Sequence, residues 1–218
     1  MFISEQDREY LKKHFKDNLK DNVEIILFVN EIGCRYCKET KQLLEELSSL
    51  SEKIKLEVYN FILDKSKVEE YKIDKTPAIV IRNSKDYGIR FFGIPAGYEF
   101  STLIETITFL SKGETDLPEN IKNSLKEIDK DIEIQVFVTP SCPYCPIAVK
   151  TAFEFAFENE KIKGYGIEVI EFPDLGQKYN VMGVPKIVIN NTVSFEGAVP
   201  PEVFLEKIRE AEKLLKGG

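Results

Sequence analysis

Apolar residues along this chain follow two patterns that predict different elements. Apolar positions three and four residues apart predict helices, and short continuous apolar runs predict buried strands. Runs of the second kind occur at Val23–Val29 and Ile132–Val138. Both are rich in β-branched and aromatic residues, which are typical of strands. The sequence therefore predicts a central strand near the start of each half of the chain.

The remaining elements recur in the same order in the two halves. In the first half we predict helices over 4–19, from the first cysteines to about 50, 65–71 and 101–112, and strands over 23–29, 55–62, 78–81 and 89–92. In the second half we predict helices over 119–128, from the second cysteines to about 158 and 201–215, and strands over 132–138, 167–172, 187–189 and 193–195.

A constant offset shows that this order is an internal repeat. Four residue pairs lie 108 positions apart in the sequence: Cys34 and Cys142, Cys37 and Cys145, Tyr71 and Tyr179, Pro77 and Pro185. Gly93 and Gly197 lie 104 apart, which fits a tighter hairpin at Asn190-Asn191. We therefore predict a duplicated αβαβαββα unit, with domains at 1–115 and 116–218. The boundary falls where Gly and Pro stand among charged residues.

All four cysteines lie in two C-x-x-C stretches, Cys34-Arg35-Tyr36-Cys37 and Cys142-Pro143-Tyr144-Cys145. Each stretch follows a predicted strand and opens a predicted helix. The unpaired amide groups and positive dipole end of a helix start favour negative charge, so a thiolate forms readily there. The spacing is typical of a redox-active dithiol or of metal ligands.

Charge and hydropathy exclude several classes of protein. The net charge of −7 and the lack of a basic cluster argue against nucleic-acid partners. No apolar run approaches the ~18 residues that a membrane span needs. Charged residues among the first eight positions argue against a signal peptide, so we expect a cytoplasmic protein. Abundant Lys and Glu and the absence of Trp point towards a thermophile.

Each half resembles a thioredoxin or glutaredoxin domain. The shared features are the strand, the C-x-x-C at the next helix, a proline 40 residues after the second cysteine, and a glycine after the last strand. The resemblance implies an α/β fold of two tandem thioredoxin-like (glutaredoxin-like) domains, each a mixed four-stranded sheet flanked by helices. It also implies cis peptide bonds before the two prolines. The substrate-binding residues that it implies are Thr76, Pro77, Gly93, Val184, Pro185 and Gly197.

The tandem arrangement, together with the stretch from Gly93 to Phe100, is similar over the whole chain to the protein disulfide oxidoreductases of hyperthermophiles. This resemblance implies reduction, oxidation and isomerisation of protein disulfides, with no cofactor beyond the redox-active disulfides. The sequence has no nucleotide-binding fingerprint. The electrons are therefore expected to come from another protein, a flavoprotein resembling thioredoxin reductase, or from a small thiol.

The resemblance gives each cysteine a role. An exposed Cys34 or Cys142 would attack the substrate disulfide, and the more buried Cys37 or Cys145 would resolve the mixed disulfide. Arg35 would tune thiol acidity by its charge, and Pro143 would do so from the first helical turn. Tyr36 and Tyr144 would line the substrate surface, or simply pack.

The chain departs from thioredoxin at one position. Phe28 and Val136 stand where thioredoxin has a buried acid, which leaves the proton acceptor of the second thiol open. Glu31, Glu57 and Glu168 are the sequence candidates for that role.

Three alternatives remain open at this stage. The chain could be a redox relay or docking domain like the tandem module of alkyl hydroperoxide reductase flavoproteins, in which one half keeps its cysteines. It could be a structural zinc module, although zinc pairs usually lie ~15–20 residues apart. It could also be a non-enzymatic binder that uses the surface around the prolines.

Overall fold

The computed structural model describes residues 2–216. The chain forms two compact units. The first unit contains the chain up to Asp86 together with residues 90–94 and 104–114. The second contains residues 87–89, 95–103 and the chain from Thr115 onward. The sequence-based limits 1–115 and 116–218 stay a prediction.

The first half of the chain forms the predicted αβαβαββα series. Its helices are α1 (Glu5–Asn18), α2 (Cys37–Ser48), α3 (Lys65–Tyr71) and α4 (Glu99–Lys112). Its strands are β1 (Val23–Val29), β2 (Ile54–Asn60), β3 (Ala78–Arg82) and β4 (Ile89–Phe92). The strand order is β2-β1-β3-β4. Strand β1 is parallel to β2 and antiparallel to β3, and β3 is antiparallel to β4.

The second half repeats this architecture. Its helices are α5 (Glu119–Lys126), α6 (Cys145–Glu158), α7 (Pro173–Lys178) and α8 (Pro201–Lys216). Its strands are β5 (Ile132–Val138), β6 (Ile162–Glu168), β7 (Lys186–Ile189) and β8 (Val193–Glu196), in the order β6-β5-β7-β8. Strand β5 is parallel to β6 and antiparallel to β7. The predicted fold of two tandem thioredoxin-like domains with mixed four-stranded sheets is confirmed.

The central strands are buried because helices cover the sheets. Residues 25–28 of β1 and 134–138 of β5 are buried, as are the apolar positions Leu43, Leu44 and Leu47 on α2. Each such side chain contributes roughly 1.5–3 kcal/mol when it leaves water. The continuous apolar runs of the sequence therefore mark the strands that the helices cover.

The sixth strand differs from the sequence prediction, which placed it at 167–172. The structure has β6 at Ile162–Glu168, where Ile162 pairs with Ile132 and Glu168 with Val138. Two glycines, Gly164 and Gly166, lower the strand propensity of this segment, so the apolar pattern predicts the strand only after them. Residues 173–178 instead form α7, the helix that the duplicated αβαβαββα unit requires here but to which the sequence analysis gave no range; Pro173 lies in its first turn.

The predicted hairpin at Asn190-Asn191 is confirmed. The φ angles are +48° at Asn190 and +58° at Asn191, as a type I′ turn requires. The Thr192 N–H donates to the Ile189 carbonyl at 3.0 Å, and the Asn190 side chain accepts a bond from the Glu133 N–H at 2.7 Å. The turn is thus tied to the central strand β5.

The part of the chain that the structure describes has neither a membrane-spanning helix nor a cluster of metal-binding side chains. Between residues 2 and 216, every helix is too short or too polar to cross a membrane. No group of three or more His, Cys, Asp or Glu side chains in the same range is arranged to hold a metal ion.

Gly164 provides a test of how closely β6 packs on α6. A Cβ at this position would lie 2.7 Å from the Ala152 carbonyl oxygen, so Gly164→Ala should lower the denaturant midpoint by the equivalent of about 1–3 kcal/mol. Gly183→Ala is the matched control, because its Cβ would meet only the Glu196 side chain at 3.7 Å. Equal midpoints for the two variants in guanidinium unfolding would contradict the close packing of β6 on α6.

Candidate functional site

Both cysteine pairs form disulfides at a strand-to-helix junction. Cys34 is bonded to Cys37 and Cys142 to Cys145, with Cα–Cα separations of 5.6 and 5.5 Å. The first pair follows β1 and the second follows β5, and the second cysteine of each pair is the first residue of a helix. The predicted position at helix starts is therefore confirmed.

The two leading cysteines differ in exposure. Cys34 is half-buried, whereas Cys142 is only 6% exposed, which corrects the expectation that both are exposed. The Cys142 N–H donates to the Thr139 carbonyl at 3.2 Å, and its Sγ lies 3.7 Å from the Val184 carbonyl oxygen. In this turn the Cys142 side chain is buried rather than exposed to solvent. The second cysteines are more buried, at 5% for Cys37 and 0% for Cys145.

Backbone amides contact different sulfurs at the two sites. At the second site, the Cys145 N–H lies 3.1 Å from Cys142 Sγ, so the helix start donates to the leading sulfur. At the first site, the Asn30 N–H donates to Cys37 Sγ at 3.3 Å. An amide donor stabilises a thiolate more than a thiol. The amide donor thus reaches the leading sulfur at the second site and the second sulfur at the first site.

The two prolines have the same environment in each half. The Thr76-Pro77 and Val184-Pro185 bonds are both cis, as the resemblance implied. Pro77 and Pro185 are buried, and the residue before each is half-buried.

Each predicted glycine holds the carbonyl of its proline. The Gly93 N–H donates to Pro77 O and the Gly197 N–H to Pro185 O, both at 2.9 Å. The φ angles of +97° and +91° at these positions favour glycine. Contact of these glycines with a substrate stays a prediction.

The residues between the cysteines also differ. Arg35 is exposed, and its guanidinium lies 5.2 Å from the centre of the Tyr36 ring. Tyr36 is half-buried, whereas Tyr144 is 65% exposed. Pro143 does not lie in the first helical turn as expected, because α6 begins at Cys145 and Tyr144 is its N-cap. Pro146 takes the place in the first turn that the sequence prediction gave to Pro143.

The acidic candidates occupy unlike surroundings. Phe28 and Val136 are fully buried, so the position of the thioredoxin acid is apolar in both halves. Glu31 is exposed, and exposed Glu57 accepts a bond from the Tyr59 hydroxyl at 2.6 Å. Glu168 is buried, but its carboxylate accepts the N–H groups of the residues two and three positions further on, at 3.2 and 2.8 Å.

Sequence reasoning missed Glu99, which is only 1% exposed. Burial raises the pKa of the Glu99 carboxyl to about 7, and a hydrogen bond from the Thr102 hydroxyl opposes that rise. One signal was available in the sequence: a single acid between aromatic residues in the stretch Gly97-Tyr98-Glu99-Phe100. The pattern gave no reason to bury it, because a first-turn glutamate is usually solvated at a helix start.

Exposed apolar side chains occur in the segments around the second dithiol: Tyr144, Ile147, Ile170 and Met182. Ile170 follows β6, and Met182 precedes the cis bond by two residues. The carboxyl ends of the parallel strands β5 and β6 lie at the same sheet edge, so the cysteine loop and Ile170 belong to that edge.

Comparison with known proteins identifies relatives for most of the chain. Residues 22–105 and 132–210 each match the family described as thioredoxin domain. A protein disulfide oxidoreductase from Aeropyrum pernix K1 is 34% identical and superposes with a TM-score of 0.91. The match covers 96% of this chain and 94% of that one.

Other relatives carry reductase names. An alkyl hydroperoxide reductase domain from Enterococcus faecalis is 25% identical, with a TM-score of 0.86 over 94% of this chain and 98% of that one. An alkyl hydroperoxide reductase component of Pseudomonas aeruginosa is 28% identical over 183 residues, 81% of this chain and 33% of that protein. The chain spans between 33% and 38% of the length of the first curated relatives it matches.

Alkylation of the reduced protein tests the assignment of leading and second cysteines. At near-neutral pH, Cys142 in a Cys145→Ser variant should react at least about tenfold faster than Cys145 in a Cys142→Ser variant. The reason is that the leading sulfur sits at a helix start, where charge stabilisation reaches ~2 kcal/mol, whereas the second sulfur is fully buried. Mass spectrometry of the iodoacetamide products, with Cys34 and Cys37 replaced by Ser, gives the rates. Equal rates would contradict the assignment.

Proposed function

We propose that this chain exchanges disulfides with protein substrates through both dithiols. The premise is that the chain belongs to the thioredoxin-domain family, and within it to the protein disulfide oxidoreductases. The chain has a thioredoxin-like oxidoreductase fold with two C-x-x-C sites, an arrangement suited to dithiol–disulfide exchange. The observation that carries the proposal is the disulfide at each helix start, in a half that also holds a buried cis-proline.

The proposed reaction conserves atoms and electrons. The thiolate of Cys34 or Cys142 attacks one sulfur of a substrate disulfide, and the other substrate sulfur leaves as a thiolate. Cys37 or Cys145 then attacks the leading cysteine, which releases the second substrate thiolate and closes the internal disulfide. Two electrons pass to the substrate. The reverse sequence oxidises a substrate dithiol, and partial reversal isomerises disulfides.

Exposed apolar groups support a polypeptide substrate. Tyr144, Ile147, Ile170 and Met182 expose apolar surface in segments close to the second dithiol in sequence or in the fold. An extended chain can also bind by main-chain hydrogen bonds to the residues before the cis-prolines, Thr76 and Val184, which are half-buried. Tyr36 contributes less to the proposed substrate surface than Tyr144 does, because it is half-buried and in contact with Arg35.

The electron donor is part of the proposal. We propose a flavoprotein resembling thioredoxin reductase, acting in the cytoplasm, and no bound cofactor other than the two disulfides. The similarity to proteins named as an alkyl hydroperoxide reductase component and as an NADH dehydrogenase supports transfer of electrons from a reductase. Those proteins are much longer than this chain, which leaves room for a reductase portion.

A second candidate function is a relay within a peroxide-reducing system. The similarity to the Pseudomonas aeruginosa alkyl hydroperoxide reductase component over 81% of the chain favours it. Two complete dithiols favour the first candidate, because a relay of that kind needs one. Parallel assays of the reduced protein with insulin and with an oxidised two-cysteine peroxiredoxin separate the two candidates. Rapid reduction of the peroxiredoxin with slow reduction of insulin would replace the first proposal by the second.

We expect the second site to carry more of the protein-disulfide turnover than the first. Cys142→Ser should reduce the rate of insulin reduction by dithiothreitol more than Cys34→Ser does, because only the second site directs a helix-start amide at its leading sulfur. The variant with all four cysteines replaced provides the background rate. Equal losses in the two single variants would reject the asymmetry, and a wild-type rate no higher than background would reject the proposed function.

A further inference from the structure

We propose that the Glu99 carboxylate accepts the proton of the Cys145 thiol when Cys145 resolves a mixed disulfide at the second site. The inference rests on the exchange function proposed above and adds the group that moves the proton. It applies to the second site, because residues 95–103 belong to the same compact unit as Cys142 and Cys145.

The start of α4 is attached to the loop that carries the second dithiol. The Tyr98 N–H donates to the Pro140 carbonyl oxygen at 3.0 Å. A Cβ on Gly97 would collide with this same carbonyl group, and the φ of Gly97 is +61°. The two backbones therefore approach as closely as only glycine permits.

This contact joins the backbone next to Glu99 to the segment that leads into the second dithiol. Pro140 precedes Cys142 by two residues, a span of at most about 7 Å. The Cys145 N–H in turn lies 3.1 Å from Cys142 Sγ. A proton passes from an acid to a base directly or through one bridging water. Glu99 directly follows Tyr98, whose N–H is hydrogen-bonded to the loop that carries the dithiol. The Glu99 side chain therefore begins one residue away from this loop contact.

The carboxylate has an unused acceptor. Its Oε2 accepts a hydrogen bond from the Thr102 hydroxyl at 2.9 Å. Its Oε1 is buried and has no hydrogen-bond partner anywhere between residues 2 and 216. A buried oxygen left in this state costs free energy, and proteins seldom keep one without a role. Oε1 is therefore available to accept a hydrogen bond or a proton.

The surroundings of Glu99 give it the acidity that the step needs. No ion pair reaches it within the described chain, and the titratable groups of the loop bonded to its helix start are Cys142, Tyr144 and Cys145. Burial, opposed by the hydrogen bond from Thr102, raises its pKa to about 7. A group that is half ionised near neutral pH can both take and return a proton. Glu168, the other buried acid near this loop in the fold, already accepts two backbone N–H groups.

The proposed step conserves atoms and electrons. Cys145 Sγ loses its proton to a Glu99 oxygen and attacks Cys142 Sγ of the mixed disulfide. The bond between Cys142 and the substrate sulfur breaks, and the substrate leaves as a thiolate. The products are the Cys142–Cys145 disulfide, the substrate thiolate and a neutral Glu99 carboxylic acid. In the oxidising direction the same acid returns the proton to Cys145.

A chromogenic aryl disulfide tests the step in a background in which Cys34 and Cys37 are Ser. The reduced protein releases one coloured thiolate when Cys142 attacks and a second when Cys145 resolves. With Glu99→Gln, the first release should be unchanged. The second should slow by at least about tenfold and should lose its titration near pH 7, because the proton acceptor is gone.

A second variant gives a graded readout. Thr102→Val removes the hydrogen bond that lowers the pKa of Glu99, so the midpoint of the second release should move to higher pH. Glu202→Gln is the matched control, because Glu202 is an exposed first-turn glutamate of α8 and should leave both releases unchanged.

The outcomes separate this inference from the function on which it rests. A second release with unchanged rate and pH profile in Glu99→Gln would overturn the role of Glu99 and leave the exchange function intact. Failure of the parent protein to give either release would overturn both. If thermal unfolding showed Glu99→Gln to be unfolded, the Thr102→Val profile would decide, and an unmoved midpoint would reject the proposal.

Discussion

The short connection between a buried parallel strand and the helix beside it is the constraint on which both sites depend. Strands β1 and β5 are held on both sides by neighbouring strands, so the residues that follow them have little freedom. The helix that returns over the sheet begins at the second cysteine. In the second half, the first amide of this helix donates to the leading sulfur, where it favours negative charge. The chemistry proposed for the chain follows from this placement.

The glycines after the last strands complete each site from the other side. Each of them donates its N–H to the carbonyl of the cis-proline, at the same distance in both halves. A side chain at these positive φ angles would strain the backbone. The loop that carries the proline is thus held by a main-chain bond, and its position does not depend on the side chains that differ between the halves.

The duplication has not produced two equal sites. The leading cysteine is half-buried in the first half and buried in the second, and the amide contact changes from the second sulfur to the first. Glu99 adds a buried acid to the second unit, whereas the residue 104 positions later is Val203. Small differences of this kind matter, because ~1.4 kcal/mol corresponds to about 30 mV in a two-electron potential. One chain can therefore present two dithiols of different character.

The sequence alone determined the repeat, the class of fold and the position of the four cysteines. These features are local or periodic: an apolar run marks a covered strand, and a constant offset of 108 positions marks duplicated elements. The pattern failed at β6, since Gly164 and Gly166 are strand residues, and the close packing of Gly164 on α6 explains the first of them. Tertiary structure decided the burial of Cys142, the direction of the amide contacts and the surroundings of Glu99. The burial of Cys142 and the surroundings of Glu99 depend on groups far apart in the chain, and the amide contacts depend on how each loop folds between strand and helix. No periodicity along the sequence records which backbone will approach which sulfur or which acid will be buried away from water.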